Sequence, residues 1–499
     1  MNTDSRIVGV VGAGIGLWLA PVFAVGVHVF WPSALPAIAI GIALAAAVAV
    51  ATARTMTETL APLLRHAGVA VLVAVGAAAA IGQIARISVY MAAPSQSRWS
   101  CYANDPFRVR HSCMTAYAEA VRFSREPGTN IYQMDLYEPR MAGPLKIDSY
   151  HYPPPFLLLP GAVRAVAPDL FAFRGLWFVM QCLVLAAVVF GIARWIGGEG
   201  GARAAAGAVL AFATPQFVYA LQQGNVQSTA VAIAVLAVVL LWSGRHLAGA
   251  PLLAYVATAK IFPGILIVYL AGARRWKALA ATAVAGVAVV ALTLAVFGAR
   301  PFQDFLHDEL PRISSGEAFP QTETFAYGVN FSVYGVTVRW RKLGLDWLTR
   351  PRGLAVASGY GAAVILLAAL AGWRARPDRD TSPGRLRLVQ CGLALLVLSS
   401  MRSPFVPGYG LVAVIWLLTL LAAGTSTPRA LLRAWAAIAA IAVLPAWMPS
   451  PGVVPQPVHL FAADLLTMIL ISTGIATVAR SWRDASMPAR SLPLSSAAS

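Results

Sequence analysis

The chain has 499 residues, 59% of them hydrophobic and 12% charged, against roughly 45–50% apolar and 25% charged in soluble domains. That composition excludes a soluble enzyme and makes lipid the solvent for most of the sequence. The net charge of +18 would suit nucleic acid, but the basic residues sit in short links between apolar runs and form no patch or stripe, so no nucleic-acid partner is expected.

Apolar runs near the roughly 20 residues that a helix needs to cross a bilayer fall at 7–30, 34–51, 67–92, 170–196, 204–221 and 226–243. A short pair at 246–258 and 260–272, readable as one broken unit, precedes 276–297, 353–374, 385–402, 405–423, 428–447 and 457–479, about fourteen runs in all. The expected fold is an all-α polytopic membrane protein of about 12–14 spans, one domain over 1–479 with a tail at 480–499. The first run is long, lacks a clear cleavage site and leads into further spans, so it reads as a span and not as a removed signal peptide.

Basic residues of the short links set the orientation. Arg54, Arg65, Arg194, Arg203, Arg245, Arg274, Arg275, Lys277, Arg374, Arg376, Arg379, Arg385 and Arg387 all fall on one side when the spans alternate. Arg429, Arg433, Arg480 and Arg483 join them, which puts both termini in the cytoplasm and the protein in an inner membrane. The long hydrophilic segments 93–152 and 298–352 then face outward. Cys101 and Cys113 share the first of these, as a disulfide or as two free thiols; Cys182 and Cys391 fall in spans.

Proton-moving chemistry usually needs a carboxylate or a histidine. No acid lies between Glu199 and Asp304 or between Asp380 and Asp464, so the candidates concentrate in the outer segments. The first carries Asp105, Glu119, Glu126, Asp135, Glu138 and Asp148; the second carries Asp304, Asp308, Glu309, Glu317, Glu323 and Asp346. The first ends in Asp148-Ser149-Tyr150-His151-Tyr152-Pro153-Pro154-Pro155-Phe156, an interfacial aromatic anchor or a wall of a substrate groove.

Polar residues inside apolar runs are costly and need a partner or a wet cavity. Gln222-Gln223-Gly224-Asn225 lies at the outer end of two spans, and Lys260 stands at the break between the short segments, beside Pro263, where a cation suits a phosphate. Asn330 with Ser332 and Arg339, and Arg402-Ser403-Pro404 with Tyr409, fall at the same level. These cations could hold a lipid phosphate; snorkelling and anionic-lipid anchoring are the structural alternatives.

The order of these residues resembles glycosyltransferase family 87: Tyr117, Ala120, Gly128 and Tyr132, then the Tyr-x-Pro-Pro run from Tyr150 to Pro154, then Gln223 and Asn225, Lys260 and Pro263. Asn330, Ser332 and Arg339, then Ser403, Pro404 and Tyr409, continue the resemblance to about residue 409. It implies a membrane helix bundle of the GT-C type that takes a hexose, mannose by default, from a polyprenyl-phosphate donor. Transfer would go to an outer-face glycan or glycolipid acceptor with inversion. One departure stands out. The family pattern usually has an aspartate, the general base, a few residues before the tyrosine matched by Tyr117; here the stretch is His111-Ser112-Cys113-Met114-Thr115-Ala116.

With that position vacant, Asp105 is the first candidate base, with His111 and Asp148 next. Lys260, Arg402 and Arg339 are the expected phosphate-side cations, and Tyr150, His151, Gln223, Asn225 and Asn330 the pocket lining. Gly12-Ala13-Gly14 lies inside a span and suits helix packing, not a dinucleotide. Asp378-Arg379-Asp380 sits in a basic link on the cytoplasmic side. No His/Cys cluster has zinc spacing and no Walker-type loop appears, so neither nucleotide, cofactor nor obligatory metal is expected. A transporter or lipid flippase would also need many spans and broken helices, but would gather polar groups at the midplane. A catalytically silent scaffold is the third reading.

Overall fold

The computed structural model describes residues 3–319, 330–375, 380–425, 427–447 and 456–483. Glu323, Arg376, Asp378 and Arg379 lie outside the described residues, as does 484–499 of the tail.

All fourteen apolar runs fold as helices. In chain order the first are α1 (Thr3–Phe30), α2 (Ala34–Leu64), α3 (Ala67–Ala92), α4 (Pro106–Arg110), α5 (Cys113–Phe123), α6 (Leu158–Val166) and α7 (Leu170–Ile196). Then follow α8 (Gly198–Phe212), α9 (Pro215–Gln223), α10 (Gln227–Trp242), α11 (His246–Lys260), α12 (Ile265–Gly272) and α13 (Trp276–Phe297). Beyond them lie Val333–Lys342, Arg350–Arg374, Ser382–Ser400, Leu411–Ala423, Pro428–Trp447 and Gln456–Arg483. Among the described residues, seven helices are long and apolar enough to cross a bilayer, or eight if the pair α8–α9, bent by 66° at Thr214-Pro215, counts as one span. α10 and the helices Phe262–Gly272 and Gly408–Ala423 are apolar but shorter. The protein is an all-α polytopic membrane protein, whose one described sheet is the hairpin Met141–Ala142 with Leu145–Lys146.

Local chemistry explains the helix ends. Asp169 caps α7 by accepting from Phe171 N at 2.8 Å and Ala172 N at 3.0 Å, and Gly197 closes it at φ 70°. Pro215 cannot continue the hydrogen-bond ladder of α8, so a new helix starts there at a sharp angle. α10 is buried on almost every face, as an Ala/Val/Leu helix with no polar stripe should be. It sits with α7, α8, Ser382–Ser400 and Leu411–Ala423 in one continuous core. α1, α2, α13 and Arg350–Arg374 join that core along one edge, through Val22, Leu60, Ala278 and Ala368, and expose the rest; Val50 is 82% exposed and Val284 71%, the surface expected of a lipid-facing rim. Gly12 and Gly16 turn toward Ala53 and Ala49 of α2, so the glycine-rich start of the chain lies along a helix contact.

The first long hydrophilic segment is folded onto the bundle. α5 is buried along nearly its whole length and packs on α6 and α7. Arg174 of α7, fully buried, donates to the last carbonyls of α3, Tyr90 O at 2.7 Å and Met91 O at 2.8 Å. The Tyr90 hydroxyl donates in turn to Val109 O, which ties the segment to the membrane helices.

Candidate active site

The Gln222–Asn225 turn joins α9 to α10 and is the anchor of the site. Gln222 accepts from Cys101 N at 2.6 Å and donates to Ser100 Oγ at 2.9 Å, while Gln223 donates to Arg108 O at 3.0 Å. Both glutamines therefore pin the first segment. Trp177 Nε1 donates to Gly224 O at 2.9 Å and Gln181 Nε2 to Asn225 O at 3.0 Å, holding the turn from α7. Gly224 has φ 65°, and an added Cβ would run into Met114 Cε and stand 3.3 Å from both Met114 Cβ and Trp177 Cδ1. Gly224→Ala is expected to cost at least about 1–2 kcal/mol for the left-handed backbone, plus the clash. Thermal unfolding in detergent reads it; an unshifted midpoint would show that the turn relaxes freely.

Held by that turn, Asn225 Nδ2 reaches Cys113 Sγ at 3.3 Å and the Tyr152 hydroxyl at 3.4 Å. Tyr152 meets Tyr117, hydroxyl to hydroxyl, at 2.9 Å, and Lys260 Nζ donates to Tyr152 at 3.4 Å with its charge 4.7 Å from the ring centre. Tyr409 lies against the same Cys113 thiol. Tyr152 stacks on Phe156 at 4.5 Å, and Tyr117 meets Phe156 edge-on at 4.8 Å, so the helical turn Pro154–Leu157, which the extended Pro153 leads into, completes the aromatic wall. Tyr150 is buried behind it, its hydroxyl 3.5 Å from Pro153 O. Burial pushes the Tyr117 and Tyr152 phenols up, so both remain protonated donors.

Lys260 owes its position to a strained break. Ile261, which follows it, has φ 56°, a conformation that a β-branched residue rarely adopts, and it separates α11 from the single turn Phe262–Gly264 that holds Pro263. Ser399 Oγ supports the break by donating to Phe262 O at 3.1 Å.

His111 and Asp148, 37 residues apart, pair beside this cluster. His111 Nδ1 stands 3.0 Å from Asp148 Oδ1 and 2.9 Å from Oδ2, and its Nε2 faces Cys113 Sγ at 3.7 Å. Burial pulls the imidazole down, but Asp148, helped by Cys113, outweighs it, and the group lies well above the ordinary histidine value. An unbroken polar chain thus runs from Asp148 through His111, Cys113, Asn225 and Tyr152 to Lys260.

A second pair lies beside it. His151 Nδ1 meets Glu309 Oε1 at 2.7 Å, and the fully buried Glu309 also accepts from Arg312 at 3.0 Å. Glu309 ends a π-helical turn, Phe305–Glu309, and nothing in its spacing marked it out, because its partner is 158 residues away.

Other expected site residues are engaged elsewhere. Asp105 caps α4, accepting from Arg108 N at 3.1 Å and pairing with Arg108 Nε at 3.3 Å, with its side chain 40% exposed. The disulfide reading gives way to free thiols: Cys101 and Cys113 are unbridged, Cys101 held at Gln222 and Cys113 at Asn225 and His111. Asn330 and Ser332 both donate to Pro404 O, at 2.9 and 3.0 Å, and Asn330 Oδ1 accepts from Val406 N at 2.9 Å, so these two motifs clasp each other. Arg339, with none of its side chain exposed, pairs with Asp464 Oδ1 at 2.6 Å and donates to Asn330 O; it is a buried tie and not an open cation. Arg402 is exposed and has no side-chain acceptor among the described residues.

No curated protein and no solved structure shows a significant match to the chain. A family model does: that of glycosyltransferase family 87, over residues 150–404. The match is slightly more than half of the sequence and takes in His151, Tyr152, Asn225, Lys260 and Glu309; His111, Cys113 and Asp148 precede it. A helical membrane bundle whose polar groups gather on this one aromatic-walled cluster fits that finding, and the chain belongs to glycosyltransferase family 87, a family of membrane glycosyltransferases.

Proposed function

We propose that the protein transfers a hexose, mannose by the family's default, from a polyprenyl-phosphate donor to a glycan or glycolipid acceptor on the outer face of the membrane, with inversion. The acceptor oxygen attacks the anomeric carbon as the bond to phosphate breaks, and the electron pair leaves with the phosphate. The acceptor proton passes to His111 Nε2, whose Nδ1 is held by Asp148. Lys260, with Arg402 further out, meets the charge on the departing phosphate. The observation that carries the reading is the polar chain linking the His111–Asp148 pair to Lys260 through Asn225 and Tyr152. Asp105 yields the base role to His111 because its carboxylate is spent on a helix cap.

The test is label transfer in membranes containing the protein, with polyprenyl-phosphate-mannose in one arm and a sugar nucleotide in the other. Transfer from the lipid donor alone, reaching the acceptor on the side opposite the termini, is expected. Transfer from the nucleotide alone overturns the donor assignment, and movement of intact lipid-linked sugar without a new glycosidic bond makes the protein a flippase. Lys260→Met is expected to lower transfer about 10²-fold, the worth of one charge-stabilising donor at a reacting centre. A loss below threefold would move the phosphate to Arg402.

A further inference from the structure

Three residues of different chemistry converge beside the aromatic wall: His111, Cys113 and Asp148 each offer a ligand atom, and these atoms lie within 4.8 Å of one another. Cys113 is buried, the other two half-buried, and Asp148 Oδ2 is a buried oxygen 2.9 Å from His111 Nδ1 with no hydrogen-bond partner among the described residues. Two ligands of a tetrahedral zinc ion, nitrogen at about 2.0–2.1 Å and thiolate at about 2.3 Å, stand about 3.6 Å apart. Here His111 Nε2 and the Cys113 thiol stand 3.7 Å apart, while Asp148 holds the other ring nitrogen, Nδ1, at 2.9 Å.

We propose that His111 Nε2 and Cys113 Sγ, with Asp148 orienting the imidazole from its other nitrogen, form a binding site for a thiophilic divalent cation such as Zn²⁺, with the remaining coordination positions left open. The donor set excludes Mg²⁺ and Ca²⁺, which take oxygen ligands, and suits zinc or cadmium. Binding releases the thiol proton, and the thiolate and carboxylate together neutralise the divalent charge, so the neighbouring Lys260 ammonium faces a neutral centre. Asn225 Nδ2, which donates to the sulfur, orients the thiolate from outside the ligand set. The sequence hides this site because its two ligands are one residue apart, too close for the usual zinc spacing, and the carboxylate that orients the imidazole is 35 residues on. Its consequence rests on the proposed function: an imidazole that holds a metal cannot accept a proton, so the cation would switch transfer off.

The experiment adds Cd²⁺ to purified, chelator-washed protein in detergent and follows the thiolate-to-metal charge-transfer absorption. One equivalent is expected to bind to wild type and to Cys101→Ser, with no band in Cys113→Ser and affinity reduced about tenfold or more in Asp148→Asn. A wild type without the band, or a band that survives Cys113→Ser, overturns the site. Because Cys113→Ser could act by misfolding, Zn²⁺ protection of Cys113 against alkylation is measured on wild type as well; unprotected alkylation also overturns it. The absorption does not depend on transfer: a band in wild type with transfer insensitive to Zn²⁺ upholds the site and removes His111 from the base role.

Discussion

His111→Gln is expected to lower transfer from the polyprenyl-phosphate donor by about 10²–10⁴-fold, the usual worth of a positioned general base. Glutamine keeps a polar side chain beside Cys113 but cannot take up a proton, so the protein should accumulate normally and still bind donor. Because Asp148 holds His111 protonated well above the ordinary histidine range, the neutral base form appears only as pH rises through that elevated value. In metal-free buffer, kcat/KM should therefore climb toward alkaline pH. Asp148→Asn removes the carboxylate charge, so its rising limb should move to lower pH while the maximal rate falls, because the ring is no longer held. Asp105→Asn should leave the rate within a few-fold and the stability nearly unchanged, because asparagine caps a helix about as well as aspartate. Full activity in His111→Gln together with collapse in Asp105→Asn would return the base role to Asp105.

Arg339→Met is expected to destabilise the protein by about 3–5 kcal/mol, because it leaves Asp464 buried without its counter-charge. The same change removes the donor to Asn330 O, loosening the clasp of Asn330 and Ser332 on Pro404. Thermal unfolding in detergent reads the loss. The double variant Arg339→Met with Asp464→Leu should recover most of it, since apolar residues of similar size replace a buried ion pair at little cost. A single variant as stable as wild type would mean that Asp464 finds water in the folded protein. Loss of transfer with unchanged stability would restore Arg339 as a phosphate ligand.

Much of the site was legible because polar residues are expensive in hydrocarbon. Lys260 and the Gln222–Asn225 run announced themselves as groups that needed partners, and the structure supplies Tyr152, Cys113, Ser100 and the Arg108 carbonyl. Asp148, His151 and Tyr152 stood together in one run, yet their partners His111, Glu309 and Lys260 lie 37, 158 and 108 residues away, distances over which spacing carries no information. Asn330 and Arg339 show the opposite case. Their residue types suited a phosphate pocket, and the fold uses them instead to hold two segments together.

The amino-acid sequence by itself determined the membrane class, the helices and the concentration of ionisable groups in two segments. Apolar length and the near absence of acids across the spans are local properties, and lipid leaves the backbone little choice but helix. Only the tertiary structure decided which acid faces which base. Several carboxylates were chemically equivalent as residues; Asp105 became a helix cap, Asp464 a counter-charge, Glu309 the partner of His151 and Asp148 the partner of His111 through packing of distant helices. A carboxylate's role depends on burial and on its nearest charge, and both are set when α5, α7 and α10 close around the Gln222–Asn225 turn.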